Sequence, residues 1–133
     1  LKAAKRRYFS IDNILFRKLD INPWDFEEKV NVVIANGVLN NAKNIRYTID
    51  KLLGVLQSNG VIFIIEQVEE SLEMLVSQVF MMEDVEDDFA TGGKTFKSME
   101  EWIEIFKDER IDHIEVLPDK YYIEQKLFVI YSK

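Results

Sequence analysis

Three short polar segments interrupt an otherwise apolar pattern, and each carries side chains able to hold a ligand: Asp20-Ile21, Asn36 to Asn41, and Glu66-Gln67. An ionised carboxylate only accepts hydrogen bonds, whereas an amide both donates and accepts. Asn36-Gly37 sets an amide beside a residue that permits a sharp turn and a close backbone approach. Glu66 is the most informative of them, because it closes an apolar run where contact with solvent or a ligand is its evident use. Each also has a plain structural reading: Asp20 as the cap of the following turn, and Asn36, Asn40 and Asn41 as turn and cap residues.

These residues matter together only if the elements around them bring them to one place. Leu1 to Phe9 reads as the end of a helix, its cations complementing the negative end of the helix dipole. Ile14 to Asp20 reads as a short strand, broken by Asn22-Pro23-Trp24-Asp25. Val30-Asn31-Val32-Val33-Ile34-Ala35 is nearly all apolar and rich in β-branched residues, the pattern of a strand covered on both faces. Ile45, Ile49, Leu52, Leu53 and Leu56 share one helical face, and Ser58-Asn59-Gly60 is the expected helix end. Val61 to Ile65 is a second buried strand. Leu72, Leu75, Val76, Val79 and Phe80 mark a further amphipathic helix, and Glu83 to Lys94, with Gly92-Gly93, reads as a mobile acidic loop. Ser98 and Glu101 have capping-box spacing ahead of a helix carrying Met99, Trp102, Ile103 and Phe106. Ile111 to Leu117 and Leu127 to Tyr131 are the last strands. Such alternation gives an open α/β sheet, mostly parallel, in one domain over residues 1–133. Ligands of such sheets gather beyond the carboxyl ends of the parallel strands. Chain order therefore predicts that the two acids and the amide cluster converge on one rim.

Composition excludes several classes. The net charge is -7 and no block of Lys and Arg follows the first few residues, which is unsuited to a phosphate backbone, so no nucleic-acid partner is expected. The absence of cysteine removes disulfides, thiolate zinc sites and thiol nucleophiles and fits a cytoplasmic protein. No apolar run reaches the roughly 18 residues that span a bilayer, so no membrane partner is expected. His113, the only histidine, lies on an alternating strand away from the rim and reads as a surface or half-buried residue. Glu83 to Asp88 lacks the ordered spacing of a calcium loop and reads as a solvated lid, so no metal is expected. Met74, Met81, Met82 and Met99 read as core filler. Trp24 and Trp102 read as packing anchors.

The stretches Phe16-Arg17-Lys18-Leu19-Asp20-Ile21, Val32-Val33-Ile34-Ala35-Asn36-Gly37-Val38-Leu39 and Leu52-Leu53-Gly54-Val55-Leu56-Gln57-Ser58-Asn59-Gly60-Val61 resemble the class I S-adenosylmethionine-dependent methyltransferases. Within that superfamily the chain is most similar to the methyltransferase domains embedded in nonribosomal peptide and polyketide synthetases. Ser98-Met99-Glu100-Glu101-Trp102, Val116-Leu117-Pro118-Asp119 and Gln125-Lys126-Leu127-Phe128-Val129 carry that narrower likeness. The resemblance implies a three-layer Rossmann-like methyltransferase fold, its sheet mostly parallel with an antiparallel C-terminal strand. It implies S-adenosylmethionine as cofactor: Asp20 would receive the adenine amino group, Ile21 would pack on the ring, and Asn36, Gly37 and Val38 would border the methionine half. It implies Glu66 and Asn40 as catalytic positions, a carrier-tethered intermediate as acceptor, and methyl transfer as the activity.

Two positions depart from that family's pattern. Asn31 stands where aspartate is usual, and Asn40 stands where carbon-methylating relatives carry a histidine that works with the residue matching Glu66. An amide cannot take a proton near neutral pH, so Asn40 is no general base; it can still orient a nucleophile. A nitrogen or oxygen acceptor, or an inactive domain, stays open. The resemblance also implies a glycine-rich turn and a ribose-gripping acid, and the chain has neither. The expectation is thus the C-terminal portion of a domain, N-terminally truncated, with missing strands between Ile14–Asp20 and Val30–Asn36. An edge left open in that way invites homo-oligomers, and the fragment itself would bind cofactor weakly or not at all and be inactive. A non-catalytic scaffold domain and a free-standing small-molecule methyltransferase are the alternative readings.

Overall fold

The apolar run before Asn36 forms strand β1 (Val30–Asn36), and Leu56–Gln67 forms β2. The two pair in parallel, with Val32 opposite Val61 and Asn36 opposite Ile65. Strands β3 (Ile111–Leu117) and β4 (Gln125–Ser132) complete a four-stranded sheet of order β1-β2-β4-β3. β4 is antiparallel to both its neighbours. Hence β1, β2 and β3 run one way and only the last strand opposes them, as expected of the mostly parallel α/β sheet. The computed structural model describes residues 1–77, 82, 85–89, 94–120 and 123–133.

Helices cover one face of this sheet. α1 (Lys2–Arg7) precedes β1, α2 (Ile45–Val55) links β1 to β2, and α3 (Leu72–Ser77) and α4 (Met99–Ile105) lie between β2 and β3. The buried side chains of α2, Ile45, Ile49, Leu52 and Leu53, join Trp102 and Ile105 of α4 in one core with Ala35, Ile62, Ile64, Phe128 and Ile130 of the sheet. Trp102 stacks on Phe106 at 5.6 Å, and Phe106 meets Phe128 edge-on at 5.2 Å. Each large apolar side chain enclosed there contributes about 1.5–3 kcal/mol relative to exposure. Both main helices start on side-chain caps: Asn44 accepts from the Tyr47 amide at 2.7 Å, and Ser98 and Glu101 form the reciprocal capping box. The other face of β1 is open, against the two-faced cover its apolar run suggested, with Val32 53% and Ile34 71% exposed: among the described residues no strand lies beyond its free edge and nothing covers that face.

The structure corrects several local expectations. Ile14 to Asp20 forms no strand. Among the described residues nothing pairs with the free edge of β1, and without a neighbour the segment has no ladder; Leu15 is 83% exposed. Helix α2 stops at Val55 rather than at Ser58-Asn59-Gly60, because Leu56 already enters β2 opposite Val30. Asn59 then bends the strand at φ +60°, and Gly60 is required, since a Cβ there would lie 2.8 Å from the Gln57 carbonyl oxygen. Helix α3 forms from Leu72 as expected, its described residues are not buried, with Leu72 and Val76 exposed, and Val79 and Phe80 lie outside the described residues. The described part of the acidic loop is tied down: the Glu86 amide donates to the Lys43 carbonyl at 2.6 Å, and Asp87 accepts from the Arg46 amide at 2.9 Å. Gly92-Gly93 lies outside the described residues.

Candidate active site

The parallel pairing of β1 with β2 decides where the polar segments go. Asn36 ends β1 opposite Ile65, one residue before Glu66, so both strands deliver their polar ends to the same rim. Gly37 prolongs the ladder by one bond, its amide donating to the Ile65 carbonyl at 2.9 Å. It holds φ +61°, and no atom lies within 4 Å of where a Cβ would stand. Backbone is therefore bare toward open space at this point, which suits close approach by a ligand. Past Val38 the chain makes a 3-10 turn, Leu39–Asn41, and Asn41 braces it by donating from Nδ2 to the Gly37 carbonyl at 2.8 Å.

Glu66 is fully enclosed at 0% exposure. Its Oε1 accepts from the Leu39 amide at 2.7 Å, and its Oε2 accepts from Asn40 Nδ2 at 2.7 Å. Burial pushes the carboxyl pKa up from 4.5 to about 7, even though the amides of Leu39, Val38 and Asn40 and the Asn40 side chain all pull it down. Desolvation penalises the charged form more than these donors repay it. Asn40 is itself 7% exposed, and its Oδ1 has no hydrogen-bond partner among the described residues. Glu66 thus holds the turn and Asn40 rather than facing outward.

Asp20 is exposed, and its Oδ1 accepts from the Asn22 amide at 3.0 Å, which is the turn-capping role. Asn22 in turn accepts from the Lys43 amide at 2.9 Å, which fastens this segment beside the 3-10 turn. Ile21 and Trp24 are half-buried against the core. Asn36 to Asn41 and Glu66 therefore meet at one rim, while the Asp20 segment is tied beside it through Asn22 and Asp20 itself bonds neither of them among the described residues.

Two buried cations escaped the reading of the chain. Lys126 is 3% exposed and stands opposite Glu66 in the β2–β4 register, yet its Nζ donates to the Pro118 carbonyl at 2.8 Å and to that of Lys120. Lys97 is 4% exposed, with Nζ 5.5 Å above the Trp102 ring and no hydrogen-bond partner among the described residues. Burial lowers the pKa of its ammonium, and the charges of Asp87, Glu101 and Glu66 work against that shift. Among the described residues only Trp102 Nε1 is an enclosed side-chain nitrogen or oxygen without a hydrogen-bond partner. Position in the chain was the available signal: Lys126 follows the side-chain alternation of Phe128 and Ile130. His113 lies toward the amino end of β3, half-exposed and stacked on Tyr131 at 4.1 Å, away from the rim. Among the described residues no group of three or more acidic or histidine side chains could hold a metal ion.

No family model matches the chain, and no curated protein matches it in sequence. Solved structures do match. The CurJ carbon methyltransferase superposes with a TM-score of 0.80 at 16% identity over 98% of this chain. The citrinin polyketide synthase CMeT domain gives 0.74 at 16% identity over 97%, and the trans-methyltransferase CalH, in complex with SAH, gives 0.74 at 25% identity over 99%. The fold is that of the class I methyltransferases. The chain spans 38%, 35% and 39% of those three chains respectively. Within this methyltransferase fold the similarity extends to domains of the synthetase-embedded kind, in line with the motifs of the tail.

Proposed function

We propose that the chain is the C-terminal part of a methyltransferase domain that uses S-adenosylmethionine and methylates a carrier-tethered intermediate of a polyketide or nonribosomal peptide synthetase. The observation that carries this reading is the Glu66–Asn40–Leu39 cluster, set at the strand-end rim of a methyltransferase fold beside the bare backbone of Gly37. S-adenosylmethionine, when bound, supplies a methyl group already activated by its sulfonium. The residues at this rim suit one side of that molecule: the Asp20 carboxylate for the adenine amino group, Ile21 for the ring, and Asn36, Gly37 and Val38 for the methionine half. Alignment of donor and acceptor is then the main contribution of the protein, and Glu66 supplies it by fixing Asn40. Asn31 and Asn40 favour a second reading, a scaffold domain that keeps the fold without the chemistry.

The chain alone lacks a glycine-rich turn, so it is expected to bind cofactor weakly or not at all. Titration calorimetry on residues 1–133 checks this, and micromolar affinity would overturn it. A longer protein that includes the preceding residues is expected to transfer labelled methyl from S-adenosylmethionine to an acyl- or peptidyl-loaded carrier. Binding without transfer would favour the scaffold, and transfer to free small molecules alone would favour a free-standing enzyme. The open edge of β1 and the exposed Val32 and Ile34 support association of the chain with itself.

A further inference from the structure

The carboxylate of Glu66 leaves the Asn40 amide no choice of orientation. An ionised carboxylate has acceptors only. One of its oxygens is taken by the Leu39 amide and the other faces Asn40, at 2.7 Å each. Only the NH2 end of Asn40 can face it, so the carbonyl oxygen is the end left over. That oxygen has no hydrogen-bond partner among the described residues, although Asn40 is more than nine-tenths buried. The one enclosed side-chain nitrogen or oxygen without a partner among the described residues is Trp102 Nε1, so the Asn40 oxygen keeps access to solvent, and an incoming N–H or O–H group can take the place of water there.

We propose that Glu66 is a positioning residue that turns the Asn40 carbonyl toward the rim, so that the site selects a methyl acceptor bringing its own N–H or O–H group. The acceptor class rests on the methyltransferase reading; the amide orientation is a property of this chain by itself. A carbon acceptor offers no donor to that oxygen, and an amide cannot remove its proton. A nitrogen or oxygen acceptor is gripped through its hydrogen and presents its lone pair. In the transfer, that lone pair bonds the methyl carbon and the sulfur–carbon electrons stay with sulfur. The proton displaced from the acceptor passes to water, because the amide oxygen does not retain it.

Glu66→Gln tests this with almost no change of shape. The glutamine carbonyl is needed by the Leu39 amide, which leaves its NH2 facing Asn40; Asn40 must then turn its carbonyl inward and its NH2 out. In nitrogen-15 spectra of residues 1–133 at pH 8.5, the Asn40 side-chain amide protons are expected to exchange at least 10-fold more slowly than those of exposed asparagines. In Glu66→Gln they are expected to approach the exposed rate. Fast exchange in the wild-type chain, or no change in the variant, overturns the orientation. Should the variant fail to fold, the wild-type exchange rate decides alone. With the longer protein, amine, hydroxyl and β-ketothioester carbon acceptors are compared. Preference for nitrogen or oxygen, falling at least 10-fold in Glu66→Gln with unchanged cofactor affinity, supports the acceptor class; preference for carbon overturns it. Methylation of none of them would sink the methyltransferase reading and the acceptor class with it, while the exchange result still judges the orientation.

Discussion

Glu66 should make this protein less stable as the pH rises through neutrality. Its carboxyl is raised from 4.5 to about 7 in the folded chain by burial. Below pH 4.5 the group is protonated whether the chain is folded or not, and it favours neither state. Between 4.5 and 7 the unfolded chain releases its proton first, so stability falls with rising pH; above 7 the whole penalty is present. A rise of that size corresponds to about 3 kcal/mol, or roughly 10 °C in Tm for a chain of this length. The opposing groups act elsewhere. Asp108, held down to about 2 mainly by its hydrogen bond with Arg110, and Glu101, held down by the Ser98 amide, lose their contributions only below their ordinary values. Lys97, lowered by burial, acts on the alkaline side. Urea unfolding at pH 5, 6, 7 and 8.5, followed by far-ultraviolet circular dichroism, measures the slope. Glu66→Gln should match the wild type at pH 5 within about 1 kcal/mol and exceed it by about 3 kcal/mol at pH 8.5. A flat wild-type profile, or a variant that keeps the slope, would refute the assignment of this charge to Glu66.

Four other substitutions bear on the remaining links. Lys97→Met removes a buried cation that has no hydrogen-bond partner among the described residues and should raise stability at neutral pH, since such a charge is disfavoured by burial; a clear loss in urea unfolding would show that the ammonium is held by more than the Trp102 ring. Asn22→Ala releases the Asp20 segment from the Lys43 amide, at a cost of about 1–3 kcal/mol; limited proteolysis should then cut between residues 15 and 29 first, and an unchanged digestion pattern would count against this tether. Ser98→Ala breaks the capping box of α4 and should cost about 1 kcal/mol, read by thermal unfolding. Ile34→Lys places a charge on the open face of β1 and should lower the mass seen by light scattering, whereas a wild-type chain that is already a compact monomer would end the case for self-association.

What could be seen in the chain beforehand divides along physical lines. Strands β1 and β2 announced themselves as apolar, β-branched runs, although β1 is covered on one face only, and the alternation of such runs with helical periods fixes a mostly parallel sheet. The capping box at Ser98 was equally plain, since its two hydrogen bonds are local in sequence. Ile14 to Asp20 failed for the opposite reason. Its residues suit an extended chain, but a strand exists only with a neighbour to bond, and local pattern carries no information about a neighbour. The end of α2 failed because Ser58-Asn59-Gly60 is genuine bend chemistry that serves a bend inside β2 instead of a helix stop.

The rim shows the same division more sharply. That Asn36, Asn40 and Glu66 meet follows from chain order in a parallel sheet, and no motif was needed to expect it. Which of them faces outward did not follow, because residue type favours an exposed acid over an enclosed one. The enclosure has a physical source. The 3-10 turn folds the Leu39 amide and the Asn40 side chain back over the strand end, and together they replace the water that Glu66 would otherwise need. The donors around it keep the buried carboxyl in place, but burial outweighs them, which is why its pKa settles near 7. A further donor at this acid, such as a hydroxyl introduced beside it, should pull that value back down and flatten the fall in stability with pH.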